Sequence, residues 1–206
     1  MKWTLTKTDK ETEHRFLNFY VMHFDVVKDD DSHRDYSYFL ASRHENGLGL
    51  RAITQDFSRP DAVLVGCYQI RDGQIYLLLE KQFRPGLMHD VWSFPAGLAD
   101  PEDASVEATA IREVREETGY GIEDIEVVLP PSPTSEGLSD ECNAVCLAKL
   151  ASKADTDREE FEDIADRLYS EEEVQALLQD KDVIFSNSAR LLVLLTLSRF
   201  HAGQLK

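Results

Sequence analysis

The chain has 206 residues, 42% hydrophobic and 30% charged, a globular composition with enough apolar content for one core, or a core plus a small appendage. Its formal net charge of −17, from 39 acidic against 22 basic residues, repels nucleic-acid backbones, so no nucleic-acid partner is expected. No apolar run is long enough to span a bilayer and the N-terminus turns charged at Lys2 without an apolar signal core, so the sequence predicts a cytoplasmic protein with no membrane partner.

From Phe16 to Leu40 aromatic and polar positions mix around the charged break Lys28-Asp29-Asp30-Asp31, which predicts a few antiparallel strands. Asn46-Gly47 and Ser58-Arg59-Pro60 are turn signals. They separate an N-terminal β segment, 1–57, a candidate dimerisation element, from a main domain, 58–206. Ala62 to Ile70 and Gln74 to Glu80 predict two strands, joined by a tight hairpin at Arg71-Asp72-Gly73, because Asp-Gly tolerates the positive φ of a primed turn. Their long apolar runs predict a sheet covered by helices on both faces. Phe94 to Gly97 reads as a loop. A helix follows from about Ser105 to Thr118, with Asp103 and Ser105 as candidate N-caps and Gly119 just past its end. Pro130-Pro131-Ser132-Pro133 reads as the start of a long loop, and Val145 to Ala148 as a further strand. Asp155 to Asp163 is an acidic stretch. Ser170 and Glu173 form a capping box for a helix through Leu178. Ser186 opens a last helix whose leucines, Leu191 to Leu197, predict burial against the sheet or a partner subunit. Cys67, Cys142 and Cys146 have no motif spacing and read as small buried hydrophobes rather than a disulfide framework or a zinc site. The histidines show no metal-ligand spacing, and Trp92 reads as a core or rim residue.

The informative segment is Arg112-Glu113-Val114-Arg115-Glu116-Glu117-Thr118-Gly119-Tyr120. At about 100° per residue, Glu113, Glu116 and Glu117 share one helical face, while Ile111, Val114 and Thr118 cluster on another. Three carboxylates on one face repel each other, and a hard divalent cation such as Mg²⁺ or Mn²⁺ would relieve that repulsion. In isolation the same pattern would read as a solvated acidic face paired with Arg112 and Arg115.

The whole segment matches R-E-U-x-E-E-x-G-U, with U apolar, and Pro95-Ala96-Gly97 supplies a Gly-led start, so the chain resembles the Nudix hydrolase superfamily. The spacing from Gly97 to Arg112 is one residue longer than the family pattern, and either Asp103 or Ala104 stands where that pattern has a Glu. Glu80-Lys81-Gln82-Phe83-Arg84-Pro85, Phe94 to Leu98 (with Ser93 in place of an acid) and Ser135-Glu136-Gly137-Leu138-Ser139-Asp140-Glu141 resemble segments of the ADP-ribose pyrophosphatase branch.

The resemblance implies an α/β fold: a Nudix-type α/β/α sandwich with a mixed β-sheet, plus a small N-terminal antiparallel β segment. It implies hydrolysis of the diphosphate linkage of ADP-ribose or a related nucleoside diphosphate sugar, with Mg²⁺ or Mn²⁺ as cofactor. The metal set would be the carbonyl of Ala96 with Glu113 and Glu117, and Glu116 as a further ligand. Glu160 or Glu162 would be the general base, with Glu116 and Glu141 next in line. Arg84, Ser139 and Glu141 would bind substrate. The branch is homodimeric, its N-terminal strands lying across a two-fold-related subunit. Another nucleotide substrate is the alternative within the enzymes, and a non-catalytic metabolite sensor the alternative outside them.

Overall fold

A computed structural model describes residues 1–153 and 164–205. The chain sorts into two compact units, Met1–Pro60 with Pro131–Asn143, and Asp61–Pro130 with Ala144–Lys206.

The first unit is built on β1 (Lys2–Lys10), β2 (Asn18–Val27) and β3 (His33–Ser42), an antiparallel sheet in the order β1-β2-β3. Two of these strands lie in the stretch the aromatic pattern marked. The other, β1, is rich in lysine and threonine and carries little apolar signal. Alternation places Tyr20, Met22 and Leu40 in one core with Leu50, and turns Phe19 and Phe39 to the opposite face, where their rings stack at 6.2 Å. Asn46 caps a short 3-10 turn, Gly47–Gly49, by accepting from the amides of Leu48 and Gly49. The helical turn α1 (Arg51–Thr54) follows. Residues 131–143 join this unit through Arg51, whose amide donates to Asp140 Oδ2 at 3.2 Å and whose Nε donates to the Asp140 carbonyl at 2.9 Å.

The second unit centres on a seven-stranded sheet. It contains β4 (Ala62–Arg71), β5 (Gln74–Arg84), β6 (His89–Ser93), β7 (Ala96–Leu98), β8 (Tyr120–Pro133), β9 (Cys142–Lys153) and β10 (Ile164–Ser170). Its path is β10-β5-β4-β9-β8, with β6 paired to β5 and β7 to β4. Asp72 (φ 51°) and Gly73 (φ 75°) make the two-residue turn between β4 and β5. The helices are α2 (Val106–Thr118), α3 (Glu171–Gln179) and α4 (Asn187–His201). Alternate residues of β4 serve opposite faces. Val63, Val65 and Cys67 pack with Ala110 and Val114 of α2, whereas Leu64 and Tyr68 pack with Val174 of α3 and Leu192 and Val193 of α4. This is the expected helix–sheet–helix sandwich with its small antiparallel N-terminal sheet.

Two expectations are corrected. The loop from Phe94 does not extend through Gly97, because Ala96 and Gly97 pair with β4 as part of β7. Pro130 does not start a loop, because β8 runs on to Pro133. β8 ends the sheet path, and on an edge strand a missing N–H leaves no partner unsatisfied.

Candidate active site

The three carboxylates arise from α2. Ser105 caps the helix by accepting from the Ala108 amide, and Gly119 ends it with a φ of 72°, a left-handed conformation that glycine adopts without strain. The apolar side of the helix packs on β4, which turns Glu113 and Glu117 toward β7. The amide of Ala96 donates to Glu117 Oε2 at 3.1 Å. Gly97 gives the Glu113 carboxylate its room, since a Cβ there would lie 1.9 Å from Glu113 Cδ. Glu117 is buried, while the Glu116 side chain is 44% exposed.

Arg112 organises this face. Its Nη1 donates to Glu113 Oε1 at 2.8 Å and Glu116 Oε2 at 3.0 Å, and its Nη2 to the Leu98 carbonyl at 2.9 Å. Asp103 grips the other side of the guanidinium, taking Nη2 at 2.9 Å and Nε at 3.3 Å. Asp103 also accepts from the Asp100 amide and the Thr109 hydroxyl. The Arg112 guanidinium therefore holds the Asp103 carboxyl well below the usual carboxylate range, and Asp103 in turn raises Arg112. Among the described residues no three His, Cys, Asp or Glu side chains converge as a ready-made metal cage. Each box carboxylate is instead held by its own partner, Arg112 or the Ala96 amide. The donor set is all oxygen, on one face and next to a backbone without a side chain at Gly97, which suits a hard divalent ion.

A model of the NUDIX domain matches residues 60–188. The chain belongs to the Nudix family. An uncharacterised Nudix hydrolase of Schizosaccharomyces pombe is 43% identical over 67 residues, 32% of this chain and 32% of that protein. The methanol dehydrogenase activator of Bacillus methanolicus is 38% identical over 93 residues, 43% of this chain and 49% of that protein. These matches thus span less than half the length of either curated relative. A crystal structure of an ADP compounds hydrolase shares the fold, with a TM-score of 0.67 at 20% identity over 100% of this chain and 98% of that one.

Within this Nudix chain, Asp103 rather than Ala104 takes the place of the box glutamate. The loop is one residue longer and the side chain one methylene shorter, and the carboxylate still reaches Arg112. Arg84 is exposed at the end of β5, opposite His89 of β6. Ser139 and Glu141 belong to the first unit. The Ser139 amide donates to the Ser135 carbonyl, and Glu141 accepts from Arg43 Nε and Thr134 Oγ1, both at 3.0 Å. Glu160 and Glu162 lie outside the described residues. Trp92 is packed edge-on against Tyr169 at 5.4 Å, in keeping with the core reading. The cysteines are buried. Burial pushes the Cys67 thiol far up, helped by the nearby charges of Glu80 and Glu117, and pushes Cys146 up to about 12.

Glu80 of β5 is a buried acid outside the R-E-U-x-E-E-x-G-U segment. It is 4% exposed and shares a strand phase with Leu78, which packs with α2 residues Ala110 and Val114. A lone acid at the inward phase of an apolar strand was the available signal.

Proposed function

We propose that the chain hydrolyses the diphosphate linkage of ADP-ribose or a related nucleoside diphosphate sugar, giving a nucleoside monophosphate and a sugar phosphate. The observation that carries the reading is the seating of Glu113 against Gly97 and of Glu117 on the Ala96 amide, which fixes two carboxylates beside one strand. The substrate class rests on the resemblance of the segments at Glu80 to Pro85 and Ser135 to Glu141 to the ADP-ribose pyrophosphatase branch.

The residues that would hold Mg²⁺ or Mn²⁺ are Glu113, Glu117 and the carbonyl of Ala96, with Glu116 as a further ligand. Divalent ions there would draw charge off phosphorus and acidify the attacking water. The protein's own groups do the rest. Arg112 keeps Glu113 and Glu116 oriented by charge-assisted bonds from a single nitrogen. Arg84 offers a planar fork of donors to a phosphate. Glu160 is the base we assign, with Glu162 beside it, to take a proton from water. Ser139 and Glu141 contribute to substrate binding. The working assembly is a homodimer in the cytoplasm; no helix among the described residues is long and apolar enough to cross a membrane.

The test is phosphate release, coupled to alkaline phosphatase, over a panel of nucleoside diphosphate sugars, dinucleoside polyphosphates and nucleoside triphosphates with Mg²⁺. ADP-ribose or a close relative is expected to turn over fastest. Glu117→Gln is expected to lower kcat at least about a hundredfold with the fold intact, the scale of losing a group that stabilises developing charge. Wild-type turnover in that variant would remove Glu117 from the metal set.

A further inference from the structure

The hairpin of β5 and β6 sets Arg84 directly opposite His89. The turn between them is held by the Leu87 amide on the Arg84 carbonyl at 2.9 Å and the Met88 amide on the Pro85 carbonyl at 3.2 Å. Met88 closes it with a φ of 50°, a left-handed conformation uncommon for a residue with a long side chain. Directly opposed residues share a face of the ladder, and the phase of Arg84 is that of Leu78, which packs with Ala110 and Val114 of α2. Arg84 and His89 therefore stand on the side of the sheet that carries the box helix, and both are exposed. His89 Nδ1 lies 2.7 Å from the Asp90 carbonyl. A carbonyl can only accept, so Nδ1 carries the proton of that bond and Nε2 is left available to a ligand. Among the described residues the Arg84 guanidinium has no carboxylate partner, in a chain with 39 acidic and 22 basic residues.

We propose that Arg84 and His89 form a two-donor phosphate subsite, with His89 Nε2 taking up a proton as the anion binds. His89 lies outside every segment that carries the Nudix resemblance, and the assignment rests on the reading of Arg84 as a phosphate contact given above. Histidine is the side chain that changes charge near neutral pH. A phosphate seated between the two side chains puts negative charge within reach of both, so it binds the imidazolium in preference to the imidazole, and proton and anion arrive together. The other charges around His89 are placed or paired elsewhere. Lys81 and Asp90 pair at 2.6 Å on the opposite face, and Glu80 shares the face of His89 but lies at the far end of the ladder, opposite Ser93. Residues 184–186, which run beside β6, carry no charge, and Arg190 and Arg199 of α4 are held by the Leu178 carbonyl and Glu126.

The test is titration calorimetry of the full chain with inorganic pyrophosphate and Mg²⁺, which is independent of the sugar. At about pH 6, His89→Ala is expected to bind about tenfold more weakly than wild type, the scale of one charge-assisted donor. The gap should narrow by about pH 8.5, where imidazole is neutral. Wild type should also take up more protons on binding than His89→Ala, read from titrations in two buffers of unlike ionisation heat. His89→Lys, a permanent cation, should restore binding and keep it at the higher pH. The position is exposed, so the Tm of both variants should stay near wild type. With ADP-ribose as substrate, His89→Ala should raise KM about tenfold and leave kcat within about twofold. Weakened pyrophosphate binding by His89→Ala, when the wild type does not turn over ADP-ribose, would support the subsite and count against the substrate assignment alone. Turnover of ADP-ribose by His89→Ala with a wild-type KM, equal pyrophosphate affinity in the two proteins at both pH values, or no binding by the wild type would each overturn the subsite.

Discussion

Arg112 and Asp103 set the geometry of the carboxylate face of α2, because one guanidinium ties the loop after β7 to two of the box carboxylates. Charge-assisted bonds of this kind contribute about 1.5–3 kcal/mol each when shielded from water, and the Asp103 side chain is 12% exposed. Asp103→Asn keeps the shape and removes the charge, and is expected to lower Tm by several degrees at pH 7. The pH dependence has a definite sign. The Asp103 pKa is lower in the folded chain than in the unfolded one, so its stabilisation is complete above about pH 4, near the unfolded value, and is lost as pH falls below it. The wild-type and Asp103→Asn melting curves should therefore converge as the pH is lowered through that range; a constant gap would show that the charge is not what Asp103 supplies. Gly97 offers a complementary test. Its φ is not in the left-handed region, so alanine meets no backbone strain, and the whole effect of Gly97→Ala falls on the Glu113 carboxylate 1.9 Å from the new Cβ. At least a tenfold loss of kcat, on the order of one to two kcal/mol of transition-state stabilisation, is expected with a small change in Tm. Undiminished turnover would mean that Glu113 can work from another position.

At the scale of elements, β4 is the shared layer between α2 and α4, and Gly66 is where its α4-facing side comes closest to the neighbouring side chains. A Cβ at Gly66 would lie 2.7 Å from Leu147 Cδ2 and 3.0 Å from Leu192, both buried. Gly66→Ala therefore overpacks this face and is expected to cost about 1–3 kcal/mol, measured by urea unfolding. The opposite face of β4, against α2, is untouched by that methyl group, so kcat should hold in the fraction that stays folded. A stability equal to wild type would show that Leu147 and Leu192 yield without strain. The capping box of α3 acts at the same scale. Ser170 and Glu173 bond reciprocally at the start of that helix, at 3.3 Å and 2.8 Å, which satisfies two amide donors that the first turn would leave unpaired.

For the whole molecule, the excess of negative charge favours divalent cations both as ligands and as counter-ions, and the two effects separate by mutation. An ion that binds the folded state alone stabilises it by about 2.7 kcal/mol at a hundredfold excess over Kd. Mg²⁺ is expected to raise Tm by several degrees above an NaCl control of equal ionic strength, and Glu117→Gln to remove most of that difference. An equal rise in both proteins would assign it to screening of the net charge. The composition of the first unit matters at this scale too. Arg51 with Asp140, Arg43 with Glu141, and the Tyr38 hydroxyl on the Glu136 carbonyl bind residues 131–143 to the N-terminal strands. Ser139 and Glu141 are thus positioned by residues about a hundred places earlier in the chain, and changes in the N-terminal strands should be felt at those two residues.

Much of the site was legible because its signals are local. The period of α2, its Ser105 and Gly119 caps, the Asp72-Gly73 turn and the placing of three carboxylates on one face all follow from residues within a few positions of one another. The membership of β1 was not legible, because its apolar content is low and its strand character comes from pairing with β2. The continuation of β8 through Pro130, Pro131 and Pro133 depends on its place at the edge of the sheet, which no local signal reports. The choice of Asp103 over Ala104 required knowing where the Arg112 guanidinium ends up. The sequence by itself determined which residues could carry the chemistry and the faces they share. Only the tertiary structure decided which carboxylate anchors Arg112, that Glu80 is buried, and that residues 131–143 pack with the N-terminal strands, because these are pairings between segments far apart in the chain, chosen by packing and charge rather than by local propensity.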